Sequence, residues 1–217
     1  SGSDASGYFN SARLLAEGRF EATPRVPFGR QHTEFGLMTF QPLGFIIAED
    51  VARMAPTYPT GLPLHLVVAA RIAGWRHAAT AVNLFAALGT ALVFLALARR
   101  LGLTLGWTAA GLLLLGLSPL VLFTALQPMS DLLALLWSLT AIYAALRSRE
   151  DWRWSLLAGL ATALAVLVRP TNGLLVLPLG TVREWMVGHL VLGALSVPLY
   201  FQHTRGLWPD GLYEQAI

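Results

Sequence analysis

The sequence predicts an all-α membrane protein, a polytopic bundle of transmembrane helices with an outer loop carrying short juxtamembrane helices. Three observations predict it. Hydrophobic residues make up 55% of the 217 positions and charged residues only 12%, about half the charged share of an ordinary soluble domain. The charges are uneven: 11 of 27 fall before residue 60. Beyond that seam the chain is mostly Leu, Ala, Val and Gly, in runs long enough to cross hydrocarbon, which takes about 20 apolar residues per helix.

The elements follow in order. Residues 4 to 17 read as a short amphipathic helix that Ser3 can cap and Gly18 can end, with Tyr8, Ala12, Leu15 and Ala16 on one face. Asp4 and Tyr8, four apart, share a side. Residues 22 to 60 carry Pro24, Pro27, Pro42, Pro56 and Pro59 with several Gly, and read as turn-rich, irregular chain whose apolar patches, such as Phe40 to Ile47, dip toward the interface. Residues 61 to 75 are too short to span and read as an interfacial helix. The spans come next. Residues 77 to 98 lack Asp, Glu and Arg, residues 101 to 130 are an uncharged run, and Leu132 to Leu146 complete a third helix after Asp131.

Trp154 to Val168 is apolar, followed by Arg169-Pro-Thr-Asn-Gly173 and Leu174 to Gly180. Two readings are open here, one long kinked helix or two short helices meeting at an outer turn. The cluster of Pro, Asn and Gly favours the turn. Arg183 then returns to the first side, residues 185 to 201 run outward, and residues 203 to 217 begin another outer loop. The whole is one domain over 1–217, with an outer loop over 1–60 and spans within 77–202. The abrupt ends read as those of a segment of a longer protein, and no signal peptide is visible.

All fifteen basic residues are Arg. They sit in small groups beside apolar runs, the pattern of topological charge; no basic stripe is long enough to track nucleic-acid phosphates. Arg99 and Arg100 close the first span and Arg147, Arg149 and Arg153 the third. Two helices separate the clusters, so both lie on one side, the cytoplasmic one by the positive-inside rule. That parity puts residues 1–60 and the turn Gln127-Pro-Met-Ser-Asp131 together on the outer side. There is no cysteine, which removes disulfides and thiol chemistry.

Three charged residues carry the candidate chemistry. Asp4, at a helix start, suits a base for an acceptor hydroxyl or a metal ligand, or is simply an N-terminal helix acid. Asp131 is either a functional acid or a helix cap, with Gln127 and Ser130 as neighbouring hydrogen-bond partners. Arg169, inside an apolar segment, suits a lipid phosphate or snorkels to the interface. The turn Tyr58-Pro-Thr-Gly-Leu-Pro63 lines a groove or only fixes the chain's entry into the membrane. The histidines, His65 among them, show no metal-ligand spacing.

An Asp-x-x-x-Tyr helix, a Tyr-Pro-x-Gly-x-Pro turn, a span ending in Arg99-Arg100, then Gln127-Pro-Met-Ser-Asp131 and Val-Arg169-Pro170 occur in this order. In that order the chain resembles the GT-C superfamily of integral membrane glycosyltransferases, in the family 39-like branch of protein O-mannosyltransferases and the bacterial aminoarabinose lipid A transferase. The resemblance implies a multi-pass enzyme of the bacterial plasma membrane. It would move a hexose or pentose from a polyprenyl-phosphate donor to a hydroxyl on a protein, lipid or glycan, with inversion, at the outer face. It maps the catalytic acid onto Asp4 and implies substrate contacts at Tyr8, Tyr58, Gln127, Asp131 and Arg169. Relatives with a second acid after the first have Ala5 here, so a divalent metal stays an open expectation and no other cofactor is implied. Two other classes fit the composition: a transporter or flippase of lipid-linked sugars, for which a repeat is lacking, and a non-catalytic membrane scaffold.

Overall fold

The computed structural model describes residues 3–24, 41–42, 44–48 and 53–175. Within them the chain is mostly helical. Helix α1 (Ser3–Ala16) is followed by a two-stranded antiparallel sheet, β1 (Phe45–Ala48) and β2 (Arg53–Pro56), and then by six helices. These are α2 (Gly61–Ala73), α3 (Ala78–Arg100), α4 (Leu105–Leu117), α5 (Pro119–Leu126), α6 (Ser130–Arg147) and α7 (Arg153–Val168). A 3-10 turn over Pro170–Leu175 closes the described chain. The expectations for Phe40, Arg183, 185–201 and 203–217 fall outside the described residues.

Helices α3 and α6 are long and apolar enough to cross a membrane, with mean hydropathies of 2.2 and 1.2 over their best windows. The run expected as one span over 101–130 is two helices, α4 and α5, bent by 54°. Pro119 causes the break. It stands at the first position of α5, where a missing N–H costs nothing, and it disfavours helical geometry at Ser118, which is extended at φ −59° and ψ 123°. Counting the bent pair as one gives three spans. Large apolar side chains on these helices face outward: Leu105 and Leu126 are each 86% exposed and Trp107 71%. Such a surface has no favourable partner in water and an ordinary one in lipid.

Helix α6 is the central element, packed on both α3 and α7. Against α7 the contact is built from small residues, Ala141, Ala144 and Ala145 facing Ala158 and Ala161, all buried. Small side chains let two helix backbones approach closely, the usual source of helix association where lipid removes the hydrophobic drive. Gly89 of α3 meets the Leu136 side chain of α6 in the same manner.

The other polar-side elements sit on this frame. α1 ends at Ala16, one residue short of the expected end, and the chain turns at Gly18, whose φ of +69° a side chain would resist. Its buried face includes Ala5, Tyr8 and Ala12, of which Tyr8 and Ala12 join one core with Leu62 and Leu66 of α2, Leu132, Leu133 and Leu136 of α6, and Val168. Leu15 and Ala16 lie only partly buried. The stretch expected to be irregular contains the β1–β2 pair, and Ala22 bridges to Met54, which ties the chain after α1 to the sheet. α2 is one-sided: Leu62 and Leu66 are buried, while Val68 and Ile72 are exposed.

The arginine clusters share one end of the bundle. Arg100 pairs with Glu150 at 2.6 Å and donates to the Leu146 carbonyl at 3.2 Å. Thus the end of α3 touches the turn between α6 and α7, as helix parity requires. Arg147 lies over the Trp154 ring, 5.0 Å from its centroid.

Candidate functional site

At the opposite end of the bundle, four stretches of chain far apart in sequence bring their polar side chains together. α1 supplies Asp4 and Tyr8, the turn before α2 supplies Tyr58, the start of α6 supplies Ser130 and Asp131, and the end of α7 supplies Arg169.

Local sequence explains each placement. Pro170 disfavours helical geometry at the residue before it, so α7 stops and Arg169 takes an extended conformation at φ −144° and ψ 113°. At this end the Ala165 carbonyl accepts from both the Arg169 N–H at 2.8 Å and the Asn172 amide at 3.1 Å. The helix thus ends at Val168 and a 3-10 turn follows over Pro170–Leu175, while the second helix expected as far as Gly180 lies mostly outside the described residues. Pro128 and extended Met129 similarly set the start of α6, placing Asp131 in its first turn, where the helix dipole favours an anion. The preceding turn is held from across the bundle. The Asn83 amide of α3 donates to the carbonyls of Ala125 at 2.7 Å and Gln127 at 2.9 Å.

Tyr58 is fixed by absence of side chains around it. A Cβ at Gly7 of α1 or at Gly44 would overlap its ring. Gly44 also has φ +82°, so the position is closed to side chains twice over. On its remaining side the ring stacks on Tyr8, centroids 4.6 Å apart and planes tilted by 33°. A third glycine sets the turn against α7: a Cβ at Gly61 would overlap the backbone of Leu167 and Val168. The chain entering α2 therefore runs directly beside the helix end that carries Arg169.

Two hydrogen-bond systems result, one on each tyrosine. The Tyr58 phenol donates to Asp4 Oδ1 at 2.6 Å. Desolvation by burial, then the bond to Asp4, raise the Tyr58 phenol from its ordinary value of 10.0 to about 12. It therefore remains a proton donor to the carboxylate at neutral pH. Tyr8 shares a 3.2 Å hydrogen bond with the Ser130 hydroxyl, and burial raises its phenol as well. The same Ser130 Oγ accepts from Arg169 Nε at 3.2 Å. Arg169 Nη2 pairs with Asp131 Oδ1 at 3.0 Å. The Arg169 side chain is nevertheless 47% exposed, while Asp131 is 25% exposed.

Of the residues singled out from sequence, Asp4, Tyr8, Tyr58, Asp131 and Arg169 lie in this constellation. Gln127 borders it through its backbone, with its carbonyl taken by Asn83 and by the Met129 amide. Sequence reasoning treated Ser130 only as a neighbour of Asp131, whereas it joins α1 to α7. Asn83 was missed; the signal was a lone amide in an otherwise apolar span. His65 is structural here. Trp137 Nε1–H donates to its Nε2 at 3.1 Å, so its proton sits on Nδ1, which faces the Gly61 carbonyl at 2.8 Å.

Among the described residues, no three His, Cys, Asp or Glu side chains lie close enough to hold a metal ion together. The two carboxylates are engaged with Tyr58 and Arg169 instead. Chemically, the arrangement offers a carboxylate oriented by a phenol, and next to it a half-exposed guanidinium held on a serine and an acid. No family model, curated protein or solved structure matches this chain.

Proposed function

We propose that this chain belongs to a membrane glycosyltransferase of the GT-C type. It moves a sugar from a polyprenyl-phosphate donor to a hydroxyl acceptor at the outer membrane face, with inversion. The observation that carries this reading is the pairing of a phenol-oriented carboxylate with an exposed guanidinium at one end of apolar helices. A base and an anion receptor side by side at a lipid boundary suit a donor that is itself part lipid and part phosphate.

Phosphate is a good leaving group, so the protein's task is orientation and charge stabilisation. Asp4 accepts the proton of the acceptor hydroxyl as its oxygen attacks the anomeric carbon. The carbon–oxygen bond to phosphate breaks on the opposite face, and its electron pair leaves with the polyprenyl phosphate. Arg169 takes up the charge that develops there. Tyr58 holds the Asp4 carboxylate in one orientation throughout. The arginine-rich end of the bundle is cytoplasmic in this reading, which puts the site outside.

The test is transfer from a labelled polyprenyl-phosphate sugar by the full-length protein and its Asp4→Asn variant. The reading expects turnover by the first and its loss in the second, with the variant still folded. Undiminished transfer by a folded Asp4→Asn variant removes Asp4 as the base. No transfer across a broad panel of donors removes the glycosyltransferase reading. A cysteine placed at Gln127 should react with an impermeant reagent from outside; reaction only after permeabilisation reverses the orientation.

A further inference from the structure

We infer that Ser130 is a positioning residue, which clamps the inner edge of the Arg169 guanidinium so that its outer edge is presented to a phosphate monoester. This deepens the reading above and rests on it. A guanidinium has two edges able to make paired, parallel hydrogen bonds to an oxyanion, Nε with Nη2 and Nη1 with Nη2. In this protein the first edge is occupied: Nε is on Ser130 at 3.2 Å and Nη2 on Asp131 at 3.0 Å. Both partners come from the first turn of α6, adjacent in sequence, so one rigid helix end grips one edge. The side chain is still 47% exposed, and the second edge is the one that points away from the grip.

The burial pattern separates Ser130 from an ordinary helix-start serine. Ser130 is 3% exposed, and its oxygen takes Arg169 Nε while bonding the buried Tyr8 phenol. A single hydroxyl thus fixes the guanidinium against α1, the helix that also carries Asp4. Asp131 alone cannot do this. One ion pair lets the planar group swing about its contact, whereas a second bond at Nε sets the plane. A lysine at 169 would lose both features, because a point charge cannot be held at one edge and offer another.

The experiment measures binding of a polyprenyl monophosphate, with the matching polyprenol as reference, to the full-length protein in detergent. The difference between the two ligands reads the phosphate contribution. Ser130→Ala is expected to weaken the phosphate-dependent part about ten-fold, the worth of one hydrogen bond to a charged group. Ser130→Thr, which restores the hydroxyl, is expected to stay within about two-fold of the parent. Ser130→Cys keeps the volume with a weak acceptor and should follow the alanine variant, which secures the comparison if alanine does not fold. Arg169→Gln is expected to abolish the phosphate-dependent difference. If Arg169→Gln loses it and neither the alanine nor the cysteine variant does, the clamp is overturned and the phosphate role of Arg169 stands. If Arg169→Gln binds phosphate as the parent does, the phosphate role falls and the clamp with it. A purely structural serine would lower the melting temperature of Ser130→Ala and leave the phosphate difference intact, which also overturns the inference.

Discussion

The two ends of the bundle each hold an arginine–carboxylate pair of similar length, and they are built in opposite ways. At one end, Arg100 meets Glu150 at 2.6 Å, with side chains 29% and 50% exposed. Glu150 also serves Arg147, three residues earlier. Arg100 closes α3 and Glu150 stands in the short turn after α6. At the other end, Arg169 meets Asp131 at 3.0 Å, and behind them lie a buried serine of the same helix as Asp131 and a buried tyrosine from α1. The first is a charge arrangement that a membrane surface demands of almost any chain. The second requires four distant segments to agree. Convergence, more than charge, distinguishes a site from an anchor.

Substitutions can break this contrast, beginning with the largest effect. Asp4→Asn removes the proposed base and should lower the rate of sugar transfer by about a hundred-fold or more, given the usual worth of a positioned general base. A single-turnover assay reads this directly. Next, Gly44→Ala puts a methyl group into the Tyr58 ring at a backbone with φ +82°. About 1–3 kcal/mol of strain is expected, together with a fall in transfer of about ten-fold as Tyr58 leaves Asp4. Gly74→Ala is the control. It has a comparable φ of +78° with nothing within 4 Å, so it should share the strain and keep the transfer rate.

Tyr58→Phe should have a smaller effect, about ten-fold or less in transfer, the worth of one hydrogen bond to a carboxylate. It also carries a pH signature. The phenol is raised to about 12 from 10.0, so its contribution to stability is full below pH 10 and is lost as pH rises through 12. Thermal melts across that alkaline range should show a loss in the parent that shrinks in Tyr58→Phe. The smallest effect belongs to the anchor. Arg100→Ala should change stability by less than about 1 kcal/mol and leave transfer within about two-fold. A large loss of transfer there would erase the distinction between the two ends.

Much of this organisation was legible in the sequence because it depends on long-range rules that composition obeys. The span expected over 77 to 98 is α3, Ala78–Arg100, and the helix expected after Asp131 starts at Ser130. Charge parity put Asp4 and Asp131 at one end, and Arg169 with them under the turn reading; the ion pair Arg169–Asp131 joins two of the three. What was not legible depends on contacts between side chains remote in sequence. Nothing local marks Ser130 as shared by Tyr8 and Arg169, since its role comes from what α1 and α7 bring to it. The strands Phe45–Ala48 and Arg53–Pro56 are four residues each, too short for alternation to stand out among prolines. The break at Ser118 has a local signal in Pro119, set within an otherwise uninterrupted apolar run.

The Tyr8–Ser130 bond joins residues 122 positions apart, and this separation has a consequence for biogenesis. A chain made from its N-terminus presents α1 long before its partner on α6 exists, and Arg169 emerges later still. The first half of the site must wait while α3 to α5, apolar enough to cross a membrane, are made. The side of the bundle that carries Asp4 therefore acquires its guanidinium only once α7 has been made and turned at Pro170. A ribosome stalled before that point would leave a chain whose Asp4 is already made and whose Arg169 is still untranslated.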